Sequence, residues 1–273
     1  MPVAGTLYLV GTPIGNLGDM TDRARSTLAS VSVLAAEDTR RTGSLLKRFG
    51  IDARMVSFHE ANERERTAEL LGLLRDGRDV AVVSDAGMPG LSDPGFRLVR
   101  ACVEAGVEVR VVPGPSAAVA ALVISGLPTD RFVFEGFLPR RAGDRRARLK
   151  ALSTDPRTVV LFESPRRVAA TLQEALEVMG DRRVAVAREL TKLHESVVRG
   201  SISDVLALLE DVRGEVVVVL EGASEPAPVN FEALVAEARA LVERGVRKRE
   251  AAARVGGRGG VSANDLYRAL VEE

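Results

Sequence analysis

The sequence predicts an α/β protein, with a mainly parallel sheet in its first half, a mixed sheet in its second, and a small helical tail. Two observations carry this. Short β-branched runs alternate with amphipathic segments through residues 7–112, and strands separated by helices pair in parallel under covered faces. Glycines stand where those helices must stop, at Gly50, Gly77 and Gly106, in the left-handed position that closes a helix. The 273 residues suffice for two medium domains and an appendage, and 46% apolar with 28% charged residues is an ordinary globular balance. The expected divisions are 1–126, 127–223 and 229–273.

In chain order, strands are expected at Leu7–Val10, Val31–Ala36, Met55–Phe58, Val80–Val83 and Val107–Val112. Helices are expected at Asp22–Ala29, Ser44–Phe49, Glu63–Arg75 and Phe96–Ala105, and a buried one at Ala117–Ile124. The second block offers strands at Phe132–Phe137, Val159–Phe162, Val184–Ala187, Ser196–Arg199 and Val216–Leu220, with helices at Arg166–Met179 and Ser203–Leu209. Ser224–Pro228 reads as a linker. Beyond it, Phe231, Leu234, Val235, Ala238, Leu241 and Val242 share one helical face. Arg247–Val255 and Asn264–Val271 then read as two short helices around the glycine-rich turn at 256–260, with Ser262 and Asp265 as a capping box. This tail has the pattern of a helix-turn-helix unit.

Composition narrows the chemistry. Lys+Arg and Asp+Glu are equal at 38 each, so a nucleic acid would have to be met by a local basic patch. A single cysteine, Cys102, leaves no internal disulfide and fits a reducing, cytoplasmic setting. With two histidines besides, no Cys/His zinc site can be assembled, although a carboxylate site is not excluded. The first residues lack a basic n-region, so no secretory signal is expected. The uncharged stretch at 111–129 is broken by glycines and prolines and is too short in its apolar part to span a bilayer.

Ligands of parallel sheets sit beyond the carboxyl ends of the strands, so the loops there are the place to look. The first, Gly11-Thr12-Pro13-Ile14-Gly15-Asn16, is neither a dinucleotide fingerprint nor a phosphate-binding loop. The fourth strand ends in a loop from Ser84 to Gly95 with three glycines and two prolines, which permits close backbone approach to a ligand. Asp85 there is a hydrogen-bond acceptor for an amine or hydroxyl, while Asp93 reads as a helix cap. The loop Pro113-Gly114-Pro115-Ser116-Ala117 opens a small-residue helix whose first N–H groups are free to meet a polar ligand. No Gly-x-Ser-x-Gly elbow occurs, so a hydrolase triad is not expected.

Two basic runs interrupt the neutral chain. Residues 139–150 hold Arg140, Arg141, Arg145, Arg146, Arg148 and Lys150, and residues 244–258 hold Arg244, Arg247, Lys248, Arg249, Arg254 and Arg258. Such runs are usually solvated faces. Two of them raise the prospect of phosphate contacts, and 4% aromatic residues with no Trp leave backbone or shape recognition as the dominant mode.

Taken in order, these loops resemble the ribosomal RNA small subunit methyltransferase I branch of the tetrapyrrole methylase superfamily. The matching segments begin with Gly11–Leu17, Ala35–Arg40, Ser84–Pro89 with Ser92–Gly95, and Pro113–Ala117. Glu135–Pro139, Phe162–Pro165, Arg188–Lys192, and Gly214-Glu215 followed by Glu221-Gly222 continue the match. The resemblance implies two α/β domains with S-adenosylmethionine folded between them, a homodimer, and methylation of a cytidine ribose 2′-hydroxyl in the decoding region of small-subunit rRNA. By position it implies donor contacts from Pro13, Asp85, Met88, Ser116 and Ala117, and from Phe162, Leu190 and Gly222 in the second domain. Met88 stands where a Thr is common, and Ala263 where the tail motif often has Lys.

Methyl transfer from a sulfonium is an in-line displacement, so positioning can supply most of the catalysis. A ribose hydroxyl is a poor nucleophile that a nearby base or cation would assist, and Glu189 and Lys192 are the candidates. Arg40 is a candidate for an RNA phosphate, beside Arg140, Arg141, Arg145, Arg146, Lys248 and Arg258. No metal or redox cofactor is required. Two rival readings share the pattern: a porphyrinoid C-methyltransferase and an RNA-binding protein without catalysis.

Overall fold

The computed structural model describes residues 4–209, 212–224, 230–259 and 261–271, with the side chain of Arg258 outside that set. It divides at Ala223 into two compact units. In the first, β1 (Leu7–Val10), β2 (Val33–Ala36), β3 (Met55–Ser57), β4 (Val80–Val83) and β5 (Val109–Val112) form a parallel sheet in the order β3-β2-β4-β1-β5. Alternation along each strand splits the core in two. Leu7, Val33, Ala35, Val80 and Val82 pack under α3 (Glu63–Arg75) and α4 (Phe96–Glu104). Val10, Leu34, Ala36, Ala81 and Val83 pack under α1 (Asp22–Ser30) and α2 (Thr39–Arg48). Gly50, Gly77 and Gly106 do follow α2, α3 and α4 with positive φ, at 65°, 83° and 68°.

The next helix, α5 (Ala117–Ser125), leaves this sheet for a second one. That sheet contains β6 (Phe132–Phe137), β7 (Thr158–Glu163), β8 (Arg183–Arg188), β9 (Ser196–Ser201) and β10 (Val216–Leu220), in the order β6-β7-β10-β8-β9. The β6–β7 pair is parallel and the other pairs are antiparallel, so the sheet is mixed as expected. Ala118, Ala121 and Leu122 of α5 lie on one face against Val160, Ala185, Val217 and Val219. Small alanine side chains let helix and sheet approach closely there. The opposite face, Val159, Leu161, Val184, Val186 and Val218, is covered by α6 (Ala142–Leu152), α7 (Val168–Met179) and α8 (Ile202–Leu208).

Four local expectations are corrected. The basic run after Pro139 is not simply a solvated face, because α6 occupies most of it and buries Arg145, Leu149 and Leu152. The second helix begins at Thr39 rather than Ser44, capped by Asp38, whose carboxylate accepts the Arg40 N–H at 2.8 Å. In the second unit, α9 (Phe231–Glu243), α10 (Lys248–Gly259) and α11 (Ala263–Val271) enclose Ala238, Ala252, Val255, Leu266 and Leu270. Here α10 runs through glycines that read as a turn. Ser262 forms no capping box: its hydroxyl accepts the Asn264 N–H at 3.2 Å, while the Asp265 N–H goes to the Ser262 carbonyl at 3.1 Å. The linker expected at 224–228 lies outside the described residues apart from Ser224. Among the described residues, no helix is long and apolar enough to cross a membrane.

Candidate active site

Strands β1 and β4 are neighbours, yet the chain leaves β1 towards β2 and leaves β4 towards β5. Each connection passes over the other strand, through α1 on one face of the sheet and α4 on the other, so the two loops meet at the carboxyl edge, where ligands of such sheets sit. A two-bond bridge ties the loops into a floor: the Thr12 N–H donates to the Gly87 carbonyl at 2.9 Å, and the Gly87 N–H returns to Thr12 at 3.1 Å. The β5 loop closes in from the other side. A Cβ on Gly11 would lie 2.6 Å from Gly114, so only glycine allows the two backbones to meet.

Above this floor lies a cleft of about 350 Å³, within the range of small-molecule sites. Its first wall mixes apolar groups (Ile14, Ala86, Met88, Ala117) with the carboxylates of Glu37, Asp85 and Asp93. Asp85 is held at both ends. Its carboxylate accepts the Asp38 N–H at 3.1 Å and pairs with Arg41 at 3.1 Å, while its own N–H donates to Glu37 at 3.1 Å. Among the described residues, Asp93 pairs with no cation. Burial, and then the Glu37 charge beside it, push its carboxyl up to about 6 against the pull of the Ser84 hydroxyl, with Asp85 adding to the rise. Asp93 does not cap α4, whose N-cap position is Gly95. That duty falls to Glu63 of α3, whose Oε1 accepts the Gly95 N–H at 2.9 Å and the Arg97 N–H at 3.3 Å.

The second wall comes from the other sheet. A bulge between Phe134 and Phe137 turns Phe137 towards the cleft, where its ring sits 5.5 Å from that of Phe162; Phe134 meets Phe162 edge-on at 5.0 Å. Glu163 is buried beside them with its charge fully engaged. It accepts the Ser164 N–H at 2.7 Å, the Thr171 hydroxyl at 2.7 Å and the Arg167 guanidinium at 3.1 Å. Arg167 in turn donates to the carbonyls of Leu138 and Pro139, fixing the lip from which α6 starts. Gly214, Glu215, Val216 and Val217 complete this wall.

The loop after β8 braces the wall. Glu189 and Thr191 both have positive φ, at 49° and 65°, a conformation costing non-glycine residues on the order of 1 kcal/mol each. Glu189 repays part of this by accepting the Glu215 N–H at 2.8 Å and the Lys192 ammonium at 2.9 Å, and Lys192 also reaches Glu215 at 3.1 Å. The Glu215 N–H first, then Lys192, hold the Glu189 carboxyl below its ordinary pKa. Burial works against the Lys192 ammonium, but both carboxylates outweigh it and leave its pKa raised. Glu189 is thereby a structural anion and a weak proton acceptor.

Of the expected donor contacts, Asp85, Met88, Ser116, Ala117 and Phe162 all line the cleft. Three do not. Pro13 lines an adjoining hollow of about 160 Å³ behind Asp85. Leu190 is buried in the core shared by α5 and the second sheet. Gly222 follows the far end of β10, because that strand runs antiparallel to β7 and brings Val216, not Leu220, opposite Glu163. Among the expected RNA contacts, Arg140 and Arg141 are exposed at the lip without an ion pair among the described residues. Arg145 is corrected to a structural role: it is buried and clasps Glu174. Arg146 pairs with Glu177 at 2.6 Å, and Arg40 with Asp38 at 2.9 Å. Lys248 spends its ammonium on the Leu270 carbonyl at 2.6 Å, and the Arg258 side chain lies outside the described residues. Sequence reasoning missed Glu37, Asp93, Glu163 and Glu215, although each stands inside or beside a motif it had singled out.

Residues 6–206 match the family model described as tetrapyrrole (corrin/porphyrin) methylases. The chain belongs to that family. Within it, the chain is 50% identical to "Ribosomal RNA small subunit methyltransferase I" of Thermotoga maritima, over 80% of this chain and 99% of the relative. The same name attaches to relatives from Synechocystis, 45% identical over 98% of both chains, and from Escherichia coli O157:H7, 42% identical over 98% and 96%. Solved folds of family members agree in architecture. Uroporphyrin-III C-methyltransferase from Thermus thermophilus superposes with a TM-score of 0.56 at 24% identity, over 80% of this chain and 94% of that one. The methyltransferase CobJ reaches 0.61 at 20% identity, over 81% and 95%.

Proposed function

We propose that the protein is an S-adenosylmethionine-dependent methyltransferase of small-subunit ribosomal RNA, acting in the cytoplasm, and that its acceptor is the ribose 2′-hydroxyl of a cytidine in the decoding region. The observation that carries this reading is the two-walled cleft at the carboxyl edge of the parallel sheet, taken with relatives of matching length that bear the rRNA methyltransferase name. The donor set fits S-adenosylmethionine. Met88, Ala117 and Phe162 offer apolar surface to an adenine, while Asp85 and Glu37 offer acceptors to ribose hydroxyls or an ammonium. A thioether at Met88 provides contact without a hydroxyl.

S-adenosylmethionine supplies the methyl group, as an electrophilic carbon on sulfur. The protein's part is to orient and to exclude water. The Thr12–Gly87 bridge fixes the floor, and Arg41 and the Asp38 N–H lock the Asp85 carboxylate in one direction. The Phe134–Phe162–Phe137 cluster shields the opposite side. Arg140 and Arg141 follow the lip that Arg167 anchors at Leu138 and Pro139, and in this reading they meet RNA phosphates next to the cleft mouth. Val111 on the edge strand β5 and Val119 and Val123 on α5 are 53%, 49% and 63% exposed, apolar side chains of the kind a homodimer would cover.

The decisive experiment offers labelled S-adenosylmethionine with three acceptors: under-methylated small subunits, naked rRNA and uroporphyrinogen. Label in rRNA that maps to a cytidine ribose is the expected result. Label in the porphyrinoid alone would favour the tetrapyrrole reading instead, and RNA binding without label would favour a non-catalytic protein.

A further inference from the structure

The carboxylates of the cleft differ in what already occupies them. Asp85 is paired with Arg41 and takes the Asp38 N–H. Glu37 takes the Asp85 N–H. Glu163 is saturated by Ser164, Thr171 and Arg167, and Glu215 faces Lys192. Among the described cleft carboxylates, Asp93 alone pairs with no cation and accepts no backbone N–H, yet it is partly buried and lines the cavity. Its loop is rigid at both ends, because the Gly90 N–H donates to the Pro94 carbonyl at 3.1 Å and Glu63 holds Gly95 and Arg97.

We infer that Asp93 is the general base of methyl transfer, taking the proton of the acceptor hydroxyl as that oxygen attacks the methyl carbon. This rests on the function proposed above. The balance is simple: the O–H bond breaks with its proton going to the Asp93 carboxylate, the O–C bond forms, and the C–S bond breaks with its electron pair left on a neutral thioether. Asp93 then loses the proton to solvent. The assignment takes the base role from Glu189, whose charge is committed to Lys192 and the Glu215 N–H.

An acid near neutrality suits this work, since a base is most effective when its pKa lies close to the working pH. Asp93, at about 6, meets that condition. The charged groups around it are Glu37 after β2, Asp85 on its own loop with Arg41 behind it, the Glu63–Arg97 pair below Gly95, and Glu163 and Glu215 across the cleft. The carboxylates nearest it, Glu37 and Asp85, raise it, and the Ser84 hydroxyl lowers it.

The test combines four readouts on the full chain: single-turnover transfer to under-methylated small subunits across pH 5–9, calorimetric binding of S-adenosylhomocysteine, thermal unfolding, and a carbon-13 titration of the wild-type Asp93 carboxyl. Wild-type rate should rise with pH and level off above roughly 6, and the carboxyl should titrate in the same range. Asp93→Asn should lose about 100-fold or more in rate together with that pH limb, while staying folded and binding S-adenosylhomocysteine within about threefold of wild type. A D93N protein that keeps both rate and limb overturns the assignment. So does one whose rate loss is matched by lost S-adenosylhomocysteine affinity, or a carboxyl that titrates below 4.5. A wild type that transfers no methyl to the subunit overturns the functional reading and the base with it, whereas an active wild type with an indifferent D93N sinks the base alone.

Discussion

Arg145 of α6 and Glu174 of α7 form a two-pronged ion pair, with Nε 2.9 Å from Oε2 and side chains only 9% and 18% exposed. Its guanidinium also donates to the Arg140 carbonyl at 3.3 Å. One arginine of the basic run thus belongs to the core while its neighbours face water. Removing one partner of a buried pair strands the other, at a cost of about 3 kcal/mol. Arg145→Ala is accordingly expected to lower the unfolding free energy measured in urea by that amount and to leave the salt dependence of RNA binding unchanged.

The opposite pattern is expected at the lip. Arg140→Ala with Arg141→Ala should leave stability within about 0.5 kcal/mol and weaken RNA binding, with the slope of log K against log salt falling by about 1 per lost phosphate contact. Filter binding of the double variant to small-subunit RNA between 50 and 200 mM salt checks this, and an unchanged slope removes the lip from the RNA surface.

Glu189→Gln separates bracing from proton transfer. The Glu189 pKa is lowered by the Glu215 N–H and by Lys192, so the carboxylate stays charged throughout the neutral range and cannot generate a rate limb there. The variant is expected to raise the Kd for S-adenosylhomocysteine several-fold by loosening the Gly214–Val217 wall, while the pH limb of transfer stays where it is. Movement of that limb would return Glu189 to the base role.

Asp93 also leaves a mark on stability. Its folded pKa, about 6, lies above the ordinary aspartate value of 3.8. Its contribution is therefore fully present below 3.8 and is lost as pH rises through 6. Asp93→Asn, which cannot ionise, should be more stable than wild type above pH 6, by on the order of 1 kcal/mol once solvent screening of this partly exposed group is allowed for. The advantage should vanish near pH 4. Urea unfolding at pH 4, 6 and 8 measures it.

The elements that proved legible were those with short-range signals. Val80–Val83 and Val216–Leu220 are β-branched runs that suit strands wherever the chain takes them. The errors arose where a distant residue decides the local outcome. Asp93 precedes a helix and reads as its cap, but Glu63, 32 residues before Gly95, does the capping and releases Asp93 to the cleft. In α6 charge masks the buried stripe, which pairs Leu149 and Leu152 with Arg145, and a buried arginine is recognised only once Glu174 is seen beneath it. The glycines of α10 lie within the helix, and at Gly256 the missing side chain has a packing reason, since a Cβ there would come within 2.7 Å of the Val261 carbonyl. Gly222 was misplaced because strand direction in a mixed sheet is set by pairing, which leaves no trace in composition.

Calorimetry tests whether the cleft between the Asp85–Asp93 loop and the Phe137–Phe162 wall holds the methyl donor. Wild-type protein should bind S-adenosylhomocysteine saturably at one site per chain, and Ala117→Trp, which places an indole in the cavity that Ala117 lines, should remain folded and bind at least about tenfold more weakly. Equal affinity in the two proteins would put the donor elsewhere, and no heat from the wild type would leave the cleft without its assigned occupant.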